Sequence, residues 1–229
     1  MKKTVLKLSK ILLNFLRGNL ENKGERVELL FSKNIDFENL NMYQKSHYKR
    51  YEFAVKHIKP SGISGDFACG TGYGSAMLSE LSNLVIGADI DKKVIDTIKK
   101  RYAKFKNISF LNLNLLELEF NNYFDSLVSF ETIEHLYESD IPKLFQNYSK
   151  ALKSQGIFIF STPFLQERSE QALKMGFHLT FDIDETKINK WLSDAGFGTP
   201  QYYYQSYETH IVENIRDNKD FIICVAHKL

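Results

Sequence analysis

Cysteine is nearly absent: Cys69 and Cys224 are the only two in 229 residues. Two thiols give no disulfide framework and no cysteine-based metal cluster, so no metal site is expected and the chain fits a reducing cytosol. Charge of one sign is lacking too. Thirty Lys and Arg against 28 Asp and Glu leave a net charge of +2, which argues against a dedicated nucleic-acid binder. Long apolar runs are also missing. Ile11-Leu12-Leu13 is too short to span a bilayer, and no small-residue cleavage site follows it, so a secretory leader is not expected. Neither internal repeats nor low-complexity tracts occur. The length suits one domain plus an extension.

What the chain does have is Asp66-Phe-Ala-Cys-Gly-Thr-Gly-Tyr-Gly74, lying between a short apolar segment and a helical one. A strand, then glycines, then a helix start is a geometry that cradles a nucleoside cofactor against backbone amides. Asp89 follows Gly70 by 19 residues, at the end of the apolar run Leu84-Val-Ile-Gly-Ala88. In nucleotide-binding α/β folds an acid there holds ribose hydroxyls. The glycines fall at 70, 72 and 74, a G-x-G-x-G spacing, whereas a dinucleotide fingerprint is G-x-G-x-x-G.

Strands are expected at 63–68, 84–89, 108–113, 124–130 and 156–161, and helices at 74–81, 92–104 and 141–152. This alternation makes a doubly wound parallel sheet, with the glycine loop and the strand tips on one rim. A helix over 41–57 precedes it. Residues 162–182 lack a clear period, as long functional lids do. A helix over 184–195, capped by Gly196, and two strands at 201–207 and 221–227 complete the chain.

These motifs resemble the class I S-adenosylmethionine (SAM) methyltransferases over roughly His47 to Leu229. Phe124-Asp-Ser-Leu-Val-Ser-Phe-Glu-Thr-Ile-Glu-His-Leu136 is similar to that family's fourth-strand motif, and Gly156 to Pro163 to its fifth-strand motif. The resemblance implies a seven-stranded α/β sheet of order 3-2-1-4-5-7-6 with an antiparallel last strand. It divides the chain into an N-terminal helical extension or lid (1–46) and a methyltransferase domain (47–229). It implies SAM as cofactor, S-adenosylhomocysteine as product, and a cofactor site built from Arg50, Asp66, Ala68, Gly70, Gly72, Asp89, Ile90, Asn114, Leu115 and Phe130. Asp66 would face the cationic amino group and Asp89 the ribose. Asn114 stands where the family usually carries an acid beside the adenine amino group; its amide oxygen accepts the same hydrogen bond. Two short motifs, His47-x-x-Arg50-Tyr51 and Gly176-Phe-His178, look like methyltransferases of bacterial surface-polysaccharide (capsule) gene clusters. They imply O-methylation of a small or carbohydrate-linked acceptor, either a sugar hydroxyl or a phosphoramidate or phosphoryl group. The alternatives are a nicotinamide-dependent oxidoreductase and a non-catalytic partner protein of the same fold.

A hydroxyl acceptor needs a general base; an anionic one needs a cationic clamp instead. His135, just beyond the fourth strand, and His178, in the lid, are the candidate bases, with Glu131 and Glu134 flanking the same turn. Arg50 is the candidate clamp. Among Tyr202, Tyr203, Tyr204 and Tyr207, alternate members either line an acceptor pocket or pack. Residues 1–17 form a basic amphipathic pattern. It packs on the domain, packs on a second copy in a homodimer, or rests weakly on an anionic membrane surface.

Overall fold

The computed structural model describes residues 26–29, 31 and 35–229. The amphipathic segment over 1–17 lies outside them. The first long helix, α1 (Met42–His57), opens with a capping box: the Asn41 side chain accepts the Gln44 amide at 2.9 Å, and Gln44 Oε1 accepts the Asn41 amide at 3.0 Å. There follow β1 (Ile63–Phe67), α2 (Tyr73–Leu78), β2 (Leu84–Asp89), α3 (Lys92–Arg101), β3 (Ile108–Asn112), β4 (Phe124–Phe130) and α4 (Ile141–Ala151). The chain then forms β5 (Leu152–Pro163), α5 (Glu170–Met175), α6 (Glu185–Asp194), β6 (Gln201–Gln205), β7 (Val212–Glu213) and β8 (Phe221–His227).

These strands make one eight-stranded sheet of order β3-β2-β1-β4-β5-β8-β6-β7. β1 to β5 run parallel, and β8 is antiparallel to both β5 and β6. This is the expected 3-2-1-4-5-7-6 order with one addition, the two-residue strand β7 at the edge beside Tyr204 and Gln205. Two residues are too few for an alternating pattern, so β7 leaves no signal in the sequence.

The sheet is covered on both faces. Phe67, Phe124, Leu127, Phe158 and Phe160 pack with Phe145, Tyr148 and Trp191 of α4 and α6 on one side. Val85, Val128, Ile159 and Ile223 pack with Tyr51, Ala54, Tyr73 and Met77 of α1 and α2 on the other. Every residue of β4 is buried, which is why it reads as a nearly continuous run of apolar and small residues. Gly196, at φ +82°, follows α6 in the left-handed conformation that a helix C-terminus favours.

Three boundaries differ from expectation. α2 and α3 end earlier, at Leu78 and Arg101, and β5 begins directly after α4 at Leu152. Leu152 pairs with Phe124 before a register shift, so the connection itself joins the sheet. The aperiodic stretch 162–182 contains one short helix, α5. Chain order reverses between β1 and β4, and in such sheets ligands bind beyond the strand tips at that point.

Candidate functional site

The loop after β1 turns sharply. Ala68, Gly70 and Gly72 have φ of 58°, 50° and 78°, and the turn closes through Cys69 N–H to Ala88 O at 2.9 Å and Gly72 N–H to Cys69 O at 3.0 Å. A Cβ on Gly70 would meet nothing within 4 Å, so that face of the loop is open. A Cβ on Gly74 would fall 2.0 Å from the Tyr51 ring, and one on Gly87 would fall 2.6 Å from Phe110. The third glycine of G-x-G-x-G thus exists for the approach of α1, not for a cofactor.

A cavity of about 320 Å³ opens beyond these tips. Ala68, Gly70, Asp89, Ile90, Asn114, Leu115 and Phe130 line it, as does His135. Asp89 Oδ2 accepts the Gly70 amide at 3.0 Å, and Oδ1 accepts the Asp91 amide at 2.9 Å. Arg26 reaches Asp89 Oδ1 and an Asp91 oxygen, each at 3.2 Å. Asn114 Oδ1 accepts the Leu116 amide at 3.1 Å, while its amino group donates to Glu117. Its oxygen is thereby oriented by the turn it caps, with a second lone pair left over.

Three of the expected residues lie off the cavity wall. Asp66 and Gly72 are not among the lining residues. Asp66 is fully buried, with its oxygens taken by Tyr51 Oη at 2.8 Å and Ser75 Oγ at 2.6 Å. It ties α1 and α2 together behind the glycine loop. Burial raises its pKa against the pull of the Ser75 and Tyr51 hydroxyls, to about 6. Arg50 is fully buried and absent from the cavity wall. Its guanidinium pairs with Glu131 at 2.5 Å, donates to Ser161 Oγ at 3.0 Å and lies 4.2 Å from the Phe221 ring centre. It clamps Glu131.

Glu131 lines the cavity with φ of 49°, at the tip of β4. Left-handed backbone at the tips of both β1 and β4 is strain concentrated where a ligand would sit. The turn Ile133–His135 follows. His135 Nδ1 donates to Phe177 O at 2.8 Å, which leaves Nε2 free; burial lowers its pKa. His178 is off the cavity wall, with its ring centre 5.1 Å from that of His135 and Nδ1 2.5 Å from Gln166 Oε1. Burial, then His135, lowers its pKa to about 4. Against the expectation that no metal cluster exists, Glu134, His135 and His178 bring ligand atoms within 4.8 Å of one another.

The remaining candidates pack. Tyr202 and Tyr204 donate to Glu185 on α6, Tyr203 packs on Phe53 and His57, and Tyr207 packs on Phe221. Cys69 is buried, which raises its pKa well above a reactive value. Sequence reasoning missed Tyr73, whose hydroxyl is 2.9 Å from His47 Nδ1 on the cavity wall, and Arg26. Tyr73 stands within the glycine motif but between the glycines that define it, and Arg26 stands in no motif.

Residues 65–160 match the methyltransferase domain family. Over that stretch the chain is similar to a methyltransferase domain, and its sheet has the methyltransferase fold. It is 26% identical over 158 residues to a probable S-adenosylmethionine-dependent methyltransferase of Mycobacterium tuberculosis, covering 66% of this chain and 55% of the relative. A probable relative from Mycolicibacterium smegmatis is 28% identical over 156 residues, with coverage of 66% and 58%. The chain thus spans little more than half the length of the curated relatives it matches. Among solved structures, geranyl diphosphate C-methyltransferase from Streptomyces coelicolor, in complex with Mg2+, geranyl diphosphate and S-adenosylhomocysteine, superposes with a TM-score of 0.63 at 16% identity (79% of this chain, 77% of that one). The N-methyltransferase NodS from Bradyrhizobium japonicum does so at 0.60 and 15% (82% and 96%). One of these neighbours is a carbon and the other a nitrogen methyltransferase, so the methyltransferase fold leaves the acceptor atom to the walls of the individual cavity. The residues here fit the cofactor: an open glycine turn faces the cavity, the Asp89 carboxylate stands beside it at the tip of the adjacent strand, and the oriented Asn114 amide stands at the next tip.

Proposed function

We propose that this protein transfers a methyl group from SAM to an oxygen of a small or carbohydrate-linked acceptor. The observation that carries the reading is the placement of Asp89 and His135 on one cavity wall. SAM, when bound, supplies an electrophilic methyl group on a sulfonium whose departure leaves a neutral thioether. Asp89 would take the ribose hydroxyls, and Asn114, Leu115 and Ile90 the adenine. The Ala68–Gly70 backbone would receive the methionine end, with Asp66 holding that loop in place from behind. His135, with Nδ1 committed to a carbonyl, offers its Nε2 lone pair to a hydroxyl proton, and His178 backs it. Alignment and exclusion of water then supply the remainder of the catalysis.

Support for a carbohydrate-linked acceptor in surface-glycan synthesis comes from the two short motifs around Arg50 and His178. The family match favours methyl transfer over hydride transfer, since residues 65–160 contain both the glycine loop and the fourth-strand motif. A screen of nucleotide-linked sugars and phosphoramidates with SAM tests the reading. With a hydroxyl acceptor, His135→Ala is expected to lower kcat by roughly 100-fold or more while leaving S-adenosylhomocysteine affinity unchanged. Undiminished turnover would remove the histidine from the reaction and point to an anionic acceptor that needs no base.

A further inference from the structure

Glu134 presents an unresolved problem in polar satisfaction. Its side chain is 1% exposed. Oε2 accepts the Thr162 hydroxyl at 3.1 Å, but Oε1 has no hydrogen-bond partner among the described residues. A buried carboxylate oxygen without a donor is costly. Protonating it does not help: His135 Nε2, at 4.0 Å, is beyond hydrogen-bond reach, and no described acceptor is within it. Both charge states are left incomplete by the described residues.

The neighbours of that oxygen are two imidazoles with free nitrogens. His135 donates Nδ1–H to Phe177 O, and His178 Nδ1 is bound to Gln166 Oε1. With Nδ1 donating in each bond, a neutral ring presents its Nε2 lone pair, the arrangement in which outer partners hold metal-ligating histidines. The juxtaposition is built, not incidental. Glu134 O accepts the amides of Leu179 at 2.7 Å and Thr180 at 3.1 Å, and Leu136 O accepts the Thr180 hydroxyl at 2.7 Å. With the His135–Phe177 bond, these contacts stitch residues 177–180 to the turn at 134–136.

We propose that Glu134, His135 and His178 form a binding site for a divalent transition-metal cation, which meets the cavity through His135. Their ligand atoms lie within 4.8 Å of one another. A central point is then no further than about 2.8 Å from each atom, against about 2.0–2.2 Å for metal–nitrogen and metal–carboxylate bonds. Small side-chain rotations close the gap. Two imidazoles and one carboxylate, with positions left over, suit Mn2+, Fe2+, Co2+ or Zn2+. Glu131, paired with Arg50, adds a second carboxylate at the adjoining cavity wall. The cation also gives His178 a role that its place off the cavity wall otherwise denies it.

The role in catalysis rests on the proposed function; the cation site is read from the side chains alone. With the cation seated, His135 Nε2 binds it, and His135 serves the acceptor hydroxyl through the cation in place of direct proton abstraction. An acceptor hydroxyl oxygen takes an open coordination position, which lowers its pKa, and sheds its proton to water. Its lone pair then forms the O–CH3 bond while the C–S bonding pair returns to sulfur.

Co2+ titration of the purified full-length chain, followed by visible absorbance, tests the site without any turnover. One equivalent is expected to bind saturably, and His178→Ala to weaken binding at least tenfold. Glu134→Gln is a second variant with the same expectation. Calorimetry with S-adenosylhomocysteine on the same His178→Ala preparation is expected to match wild type, which shows that the fold survives. Absence of saturable Co2+ binding, or equal binding in a folded His178→Ala chain, overturns the proposal. Loss of S-adenosylhomocysteine binding by the wild type would instead overturn the methyltransferase reading and leave the metal result standing.

Discussion

At Asp66, two opposed effects meet in one side chain. Burial disfavours its charge, while the Ser75 and Tyr51 hydroxyls favour it, and the balance leaves the pKa at about 6. The folded chain therefore holds a proton that the unfolded chain sheds near pH 4. Stability is greatest below that value and falls as pH rises through about 6, by up to roughly 3 kcal/mol. In Asp66→Asn this slope should vanish, so urea midpoints of wild type and variant should diverge between pH 4.5 and 7. Parallel midpoints would show that Asp66 is charged throughout. An acid at the head of the glycine loop was legible in the sequence, but its direction was not. Tyr51, 15 residues earlier, claims one of its oxygens through a contact that only the packing of α1 on α2 creates. The same holds for Arg50, whose partner Glu131 is on another element.

Elements position these side chains, and two of them can be tested. Tyr51 fits against α2 only because residue 74 has no side chain. Its ring packs edge-on against Tyr73 and Phe130 at 5.2 and 4.9 Å, so it has nowhere to retreat. Gly74→Ala should cost about 1–3 kcal/mol and lower Tm by several degrees, measured by calorimetry. An unchanged Tm would mean that α1 can shift freely. The segment around Arg26 crosses the cavity mouth, where Thr71 Oγ donates to Val27 O at 3.1 Å and the Gln44 amide group donates to Glu28 O at 2.6 Å. Arg26 occupies the Asp89 oxygen that a ribose would use. Arg26→Ala should therefore bind S-adenosylhomocysteine about two- to fivefold more tightly, the worth of a partly exposed ion pair. Weaker binding would make Arg26 part of the cofactor site. Periodicity alone revealed the central strands and helices, because each buries a continuous face. It revealed neither β7 nor α5, which have too few residues to show a period.

In the whole molecule, the sheet brings together groups far apart in the chain. Asp66 and Asp89 end adjacent strands, and the lid returns His178 to His135 across 43 residues of separation in sequence. That return was invisible in the sequence because residues 162–182 have no period from which to infer a path, and the hydrogen bonds that fix it involve backbone. No described helix is long and apolar enough to cross a membrane. The central claim is that this cavity holds a SAM-type nucleoside through Asp89. Titrating S-adenosylhomocysteine into wild type and Asp89→Ala by calorimetry tests it most directly. The account predicts one saturable site per chain in the wild type and affinity weakened at least about tenfold in the variant, from lost hydrogen bonds to a charged group. Absent binding in the wild type, or equal affinity in the two proteins, would contradict it.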